Sequence, residues 1–174
     1  SLLEKIFISK FDVSIEAYYK KMSGLFEYRS PLLEEDILDN ISNIVAQNGA
    51  GRSHGIELYA KKSFSKLNLN LNYTLSWSER QFDELNNGEW YPFLYDRRHD
   101  LSLTSSYNLS KKWHISTNFV FATGLPYTSN NTTIMDLDGF PIVFATEKHG
   151  ERLPNYHRLD IVFNYKKTGK SYAN

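Results

Sequence analysis

Apolar and polar residues alternate one by one through most of the chain. The clearest case is Leu67–Trp77, LNLNLNYTLSW, where Leu, Tyr or Trp fills every odd position and Asn, Thr or Ser every even one. A period of two marks an extended strand whose successive side chains point to opposite faces. In Phe11–Lys21 the residues Phe11, Val13, Ile15, Ala17 and Tyr19 alternate with Asp12, Ser14, Glu16 and Lys20. A helical spacing of Phe11, Ile15, Tyr18 and Met22 also fits there, but the β-branched and aromatic residues favour a strand. Ile56, Leu58 and Ala60 alternate with Glu57, Tyr59 and Lys61. Leu101, Leu103, Ser105, Tyr107 and Leu109 oppose Asp100, Ser102, Thr104, Ser106 and Asn108. Trp113, Ile115, Thr117, Phe119 and Phe121 oppose His114, Ser116 and Asn118, and Leu159, Ile161, Phe163 and Tyr165 oppose Arg158, Asp160 and Asn164. The pattern predicts about six strands, with the first residues as the tail of a seventh.

The links between these strands alternate strictly between tight and long. The tight ones are 62–66 and the few residues around Ser110–Lys112, while 23–53, 79–97 and 124–156 are long. Antiparallel up-and-down strands then carry every tight turn at one end and every long loop at the other, the asymmetry of an outer-membrane barrel. The aromatic residues agree: Tyr19, Tyr73, Trp77, Tyr107, Trp113 and Tyr165 share the apolar parity, mostly near strand ends, as an interfacial belt requires. Lys and Arg are nearly absent from that parity, where a charge at the membrane midplane costs about 2–4 kcal/mol. A soluble β-sandwich also alternates, but its outward face normally carries Lys and Glu. Here that face carries Asn, Ser and Thr, suited to a crowded, wet interior. The fold expected is therefore all-β, an antiparallel up-and-down transmembrane β-barrel segment of about six strands of a larger barrel, with long loops.

Composition narrows the function classes. The 174 residues carry 20 basic and 20 acidic side chains without a basic stripe, which argues against nucleic acid as a partner. Absence of Cys excludes disulfides, thiolate metal sites and a Cys nucleophile. The 12 Tyr, 11 Phe and 3 Trp are a β composition. A mean hydropathy of −0.49 does not argue against a membrane, since a spanning strand needs only about 10 residues, half of them apolar. No G-x-S-x-G, H-E-x-x-H, phosphate loop or G-x-G-x-x-G occurs, so no catalytic residue is expected. His54, His99, His114, His149 and His157 show no ligand spacing, and Asp136-Leu137-Asp138-Gly139 lacks the spaced acceptors of a calcium loop, so neither metal nor cofactor is expected. Ser30 as cap, Pro31, the acids Glu34, Glu35 and Asp36, the apolar stripe Leu33, Ile37, Ile41, Ile44 and Val45, and a stop at Gly49 read as a short helix over 31–46. Two strand extensions above the membrane would fit the same segment.

Several runs together resemble the barrel of TonB-dependent outer-membrane receptors, in particular the Bacteroidetes type that begins with a carboxypeptidase-regulatory-like domain. They are Glu16-Ala17-Tyr18-Tyr19-Lys20, Gly51-Arg52-Ser53-His54-Gly55-Ile56-Glu57-Leu58, Tyr95-Asp96-Arg97-Arg98-His99-Asp100-Leu101, Ala122-Thr123-Gly124-Leu125-Pro126-Tyr127-Thr128 and Arg152-Leu153-Pro154-Asn155-Tyr156-His157-Arg158-Leu159-Asp160. The resemblance implies a bacterial outer-membrane location, a barrel of roughly 22 strands and an N-terminal plug with a TonB box. No plug domain, TonB box, signal peptide or set of final barrel strands is legible in residues 1–174, so the chain is expected to be an interior, C-terminal-side segment that does not insert and conduct alone. Partners implied are outer-membrane lipid, the receptor's own plug domain, the TonB complex through the N-terminal part, and a scarce nutrient such as an iron chelate, cobalamin, a glycan or a peptide.

Two groups of candidate site residues follow. Trp90, Tyr91 and Tyr127 fall in expected extracellular loops, where they could stack on a sugar or siderophore, or pack the loops and the outer belt instead. Arg97 and Arg98 could grip an anionic ligand bidentately, or form salt bridges with neighbouring strands, as could Arg158 and Asp160. Asn68, Asn70, Asn72, Asn118, Arg158 and Asp160 are expected to face the lumen and plug. Two rivals share the periodicity: a passive or structural outer-membrane barrel of porin or autotransporter type, and a secreted β-sandwich binding module.

Overall fold

The computed structural model describes residues 2–8, 11–28, 45–129, 132–135, 138–144 and 147–167. In chain order the strands are β1 (Leu2–Ile8), β2 (Phe11–Tyr28), β3 (Val45–Ser63), β4 (Leu67–Gln81), β5 (Tyr91–Pro92), β6 (His99–Asn108), β7 (Trp113–Ala122), β8 (Pro126–Tyr127), β9 (Thr132–Met135), β10 (Pro141–Phe144), β11 (Glu151–Arg152) and β12 (Tyr156–Tyr165). The long ones form a single antiparallel sheet in the order β1-β2-β3-β4-β6-β7-β12, with β5 paired to the upper end of β4. This is the up-and-down meander that the alternating links predict. The seventh strand is present as β1, paired from Leu2 against Ala17 to Ile8 against Phe11.

The register carries every predicted apolar parity onto one face. Leu71 lies opposite Ala60 and Leu103, Ala60 opposite Val13, Leu103 opposite Phe119, and Phe119 opposite Leu159. One residue along, Asn70 lies opposite Lys61 and Thr104, Thr104 opposite Asn118, and Asn118 opposite Asp160. A slip of one residue at any pair would exchange the faces, so consistent parity across the sheet is a demanding outcome. Among the described residues no second layer covers the apolar face: Ile15 is 44 % exposed, Ile56 48 % and Leu159 59 %. A β-sandwich would bury that face, so its exposure across the sheet is the expectation for contact with lipid.

Aromatic rings mark both margins of the apolar face. At the long-loop end Tyr19, His54 and Trp77 run side by side across β2, β3 and β4, with His54 stacked on Trp77 at 5.2 Å. At the tight-turn end Trp113 meets Tyr165 at 4.9 Å, and Tyr107 lies nearby on the same parity. From Leu67 to Trp77 the rise is roughly 33 Å along the strand, or about 25 Å once tilted, the height of a barrel's apolar band. Tyr73 departs from the belt: it sits inward of Trp77 and pairs its hydroxyl with His99 Nδ1 at 2.8 Å. Ser105 and Thr117, on the apolar parity of β6 and β7, lie opposite each other and hydrogen-bond at 2.7 Å, which hides their polarity from hydrocarbon.

The sheet continues beyond the membrane band further than the alternation shows. β2 extends to Tyr28 and β3 begins at Val45, so both ends of the link expected at 23–53 are strand. The pairing shifts register between Met22 and Leu25, where Gly24 takes a φ of 67°. A bulge there breaks the period of two, and above it the strands face a loop cap rather than lipid. Of the helix expected over 31–46, residues 31–44 lie outside the described residues, while Val45 and Ala46 open β3. Gly49, expected to stop that helix, lies within β3 instead, where the Phe82 ring packs so closely on its backbone that a Cβ would collide with it. The calcium-loop residues Asp136 and Leu137 are likewise outside the described residues, and Gly139 has a φ of 83° ahead of β10.

Candidate functional site

Two surfaces gather the candidate site residues: the polar face of the sheet and the cap built by the long loops. On the polar face Asn68, Asn70 and Asn72 stand opposite Ser106, Thr104 and Ser102 on β6. Thr104 donates its hydroxyl hydrogen to Asn118 Oδ1 at 3.1 Å, and His114 bridges Asn108 at 2.6 Å and Ser106 at 3.2 Å. Arg158 and Asp160 pair with each other at 2.9 Å along β12. Across β4, β6 and β7 the face thus presents neutral amides and hydroxyls, whereas on β2 and β3 it also carries Asp12, Glu16, Lys20, Glu57 and Lys61, with Glu16 directly opposite Glu57. The neutral stretch can exchange hydrogen bonds with water or with a protein plug without holding either tightly.

The cap holds most of the buried side chains. Phe82, Leu85 and Tyr91 from the loop after β4 pack on Ala46 of β3, with Leu25 of β2 against them. These residues keep the hairpin extension and the loop together through apolar burial, about 1.5–3 kcal/mol for each large side chain fully removed from water. Charges lock the same contact. Glu27 on β2 accepts from Arg80 of β4 at 3.0 Å and lies 3.3 Å from Lys148, while Arg52 meets Glu79 at 2.6 Å. Asp96 is 1 % exposed and accepts from the backbone N–H of Ser78 at 2.6 Å, from Arg98 at 3.3 Å and from Arg152. Arg152 also donates to the carbonyls of Asp96 and Gly124 at 3.0 and 3.2 Å, so residues 147–152 and the loop after β4 are tied through one carboxylate.

Beside this knot lies a cleft of about 290 Å³. Its lining includes Trp90, Tyr91, Asn87, Glu147, His149 and Arg152. Trp90 carries the Arg52 guanidinium over its ring at 4.2 Å, and Asn86 clamps the backbone of Lys148, accepting from its N–H at 2.8 Å and donating to its carbonyl at 3.0 Å. The Tyr91 hydroxyl is buried without a hydrogen-bond partner among the described residues. Burial, with Glu27 nearby, raises its pKa far above the usual phenol value despite the opposing Arg80.

His149 is buried at the cleft edge. Its Nδ1 lies 2.8 Å from the Pro92 carbonyl, an acceptor, so the ring donates from that nitrogen. Burial lowers its pKa, outweighing the bond to Pro92, and the neighbouring Lys148 lowers it further. The closed cap thus holds the ring neutral, whereas an opened loop takes up a proton near the ordinary value of about 6.5. Protons favour the open form, so the cap is fully stabilised above that pH and loses stability as pH falls below it. Hydrogen exchange of 147–152, corrected for intrinsic rates, is expected to show weaker protection at pH 5.5 than at 7.5, with the difference removed by His149→Gln. Equal protection at both pH values would contradict this.

Gly124 is a second constraint on the loops. A Cβ there would run into the Leu153 carbonyl, and the Gly124 N–H donates to Asn155 Oδ1 at 3.2 Å. Gly124→Ala is expected to displace β8 from β11 at a cost of about 1–3 kcal/mol, read as faster proteolysis of residues 124–155. Unchanged cleavage would argue against this packing.

The structure brings together some of the expected site residues and separates others. Trp90 and Tyr91 share the cleft, but Tyr91 is 2 % exposed and belongs largely to the packed core of the cap. Tyr127 lies apart on β8, paired with Glu151. Arg97 bonds Asp100 at 3.0 Å, and Arg98 lies over Trp77 at 4.6 Å and against Asp96, so both guanidiniums have partners. The salt bridges expected from them to neighbouring strands are instead local, as is Arg158 with Asp160. The long-range ties run through Glu27, Asp96 and Arg152, which pattern reading did not single out. Asp96 and Arg152 are 56 residues apart, and no local spacing reports such a pair. No group of residues suited to hold a metal ion occurs among the described residues.

A single meandering sheet, lipid-suited on one face, hydrated on the other, with tight turns at one end and knitted loops at the other, is the wall of an outer-membrane β-barrel. A family profile described as TonB dependent receptor-like, beta-barrel, matches residues 5–173, and the chain belongs to that family. The family is one of outer-membrane receptors engaged in TonB-linked transport rather than of enzymes. No curated protein and no solved structure gives a significant match.

Proposed function

We propose that the chain forms part of the wall and extracellular loops of a nutrient importer of the Bacteroidetes type, whose plug and TonB box belong to other parts of the receptor. The observation that carries this reading is the stretch of neutral amides and hydroxyls at Asn70, Asn72, Thr104 and Asn118 across β4, β6 and β7, behind a lipid-suited exterior. A passive porin conducts through its lumen, whereas an importer has to hold a plug against the wall and release it. Amides and hydroxyls suit such reversible contact better than fixed charges do. The nutrient would first meet the cap, where Trp90 offers an aromatic surface beside Asn87, Glu147 and Arg152, with Arg97, Arg98 and Tyr127 flanking the approach. Asn68, Arg158 and Asp160 would line the passage. The test is growth of a deletion strain on single iron, vitamin, glycan and peptide sources, with the intact gene restored as control. Loss of growth on one source, recovered on restoration, is expected; unchanged growth and surface uptake on every source would reject the importer reading.

A further inference from the structure

The tight-turn end of the sheet carries charge that the transport reading does not use. Lys62 and Lys66 flank the turn between β3 and β4, Lys111 and Lys112 form the next turn, and Lys166 and Lys167 follow β12. Among the described residues none of the six has an ion pair, and Asp12 is the one acid among the described strand ends there. Lys62 is the unusual member. Its register partners are Phe11 and Leu69, so it projects from the lipid side of the sheet rather than into the lumen. The Phe11 ring, 3.2 Å from Nζ to the ring centre, and the Phe64 ring, at 4.7 Å, keep the ammonium on that side.

An apolar groove of about 310 Å³ runs inward from this ammonium, lined by Phe11, Ala60, Phe64, Leu69, Leu71 and Leu103. A cation at the head of an apolar groove on a lipid-facing wall matches one kind of molecule, with a negative headgroup and a hydrocarbon chain. A second cleft of about 380 Å³ at the next turn gathers Lys111, Lys112 and Lys166 beside Trp113 and Tyr165, but it is lined as well by Asn108, His114 and Asn164 of the polar face and is no apolar groove. Left unpaired, cations at this depth have little to hold them beyond interfacial water; phosphates at the leaflet surface attract each of them.

We infer that the tight-turn rim is a binding site for anionic phospholipid of the periplasm-facing leaflet, with the phosphate at Lys62 and Lys66 and an acyl chain in the Phe11–Leu103 groove. The inference goes beyond nutrient transport and rests only on the apolar face meeting lipid. The groove selects a lipid over free phosphate, which has no chain to bury there.

The test is native mass spectrometry of the full-length receptor, folded in detergent and heat-modifiable on gels, titrated with dioleoyl phosphatidylglycerol or dioleoyl phosphatidylcholine. The receptor is expected to retain phosphatidylglycerol over phosphatidylcholine. Lys62→Gln is expected to reduce that retention about fivefold and Lys62→Arg to preserve it. Glycerol 3-phosphate at millimolar concentration should not displace the lipid. Equal retention of the two lipids, indifference to Lys62→Gln in a receptor that remains heat-modifiable, or displacement by glycerol 3-phosphate would each overturn the assignment. Heat-modifiability is read separately, so failure here leaves the importer reading to its own growth assay.

Discussion

Leu71→Arg in the full-length receptor is expected to cripple membrane assembly, while Asn70→Arg, one residue away, assembles close to normal. Leu71 lies in the middle of the apolar row between Ala60 and Leu103, so its replacement would place a guanidinium against hydrocarbon. Near the midplane that costs about 2–4 kcal/mol, enough to shift a marginal assembly equilibrium by roughly 30–900-fold. Asn70 points to the opposite face, between Lys61 and Thr104, where a charge remains hydrated. The check is the fraction of receptor migrating as the heat-modifiable folded form in outer-membrane preparations. Equal folded fractions for the two variants would remove the assignment of faces.

Asp96→Ala is expected to open the loop cap without dismantling the sheet. The carboxylate is buried and holds Arg98, Arg152 and the Ser78 N–H, so its removal leaves two guanidiniums and a backbone donor facing a gap. Breaking a fully buried ion pair costs about 3–5 kcal/mol; here both guanidiniums remain partly in water, which lowers the expectation to about 2–3 kcal/mol. Hydrogen exchange should report this as about a 30–150-fold loss of protection in residues 93–98 and 149–153 and at the Ser78 amide, with the lower part of β4, Leu67 to Leu75, and β6 unchanged. Unaltered exchange in those loop segments would mean that the apolar contacts of Phe82, Leu85 and Tyr91 hold the cap alone.

The sheet was largely legible because a membrane strand writes both of its environments into the chain. Leu67–Trp77 needs hydrocarbon on one side and water on the other at every step, and a period of two follows directly. Tyr107, Trp113 and Trp77 were placed at the margins for the same reason, since an interface rewards rings with a polar handle. The cap was not legible. Above Met22 the bulge at Gly24 shifts the register, and strand faces there are satisfied by Phe82 and Tyr91 from another loop rather than by a uniform medium. Asp96 illustrates the limit: it sat within a recognised motif, but its partner Arg152 is distant in sequence and the meaning of the pair exists only once β8 and β11 have formed. Arg97 and Arg98 resembled ligand grips because sequence shows charge and not what neutralises it.

Spin labels along β4 distinguish odd positions that meet lipid from even ones that meet the lumen. Residues 1–174 contain no Cys, so single cysteines at Leu67 through Trp77 can carry spin labels in the receptor reconstituted in bilayers. Collision rates with oxygen, which concentrates in hydrocarbon, and with a water-soluble nickel chelate would then be measured at each position. Oxygen access is expected to peak at 69, 71, 73 and 75 and nickel access at 68, 70, 72, 74 and 76, strictly out of phase. Profiles in phase with each other, or with the parities exchanged, would rule out lipid on the odd face and the lumen on the even one.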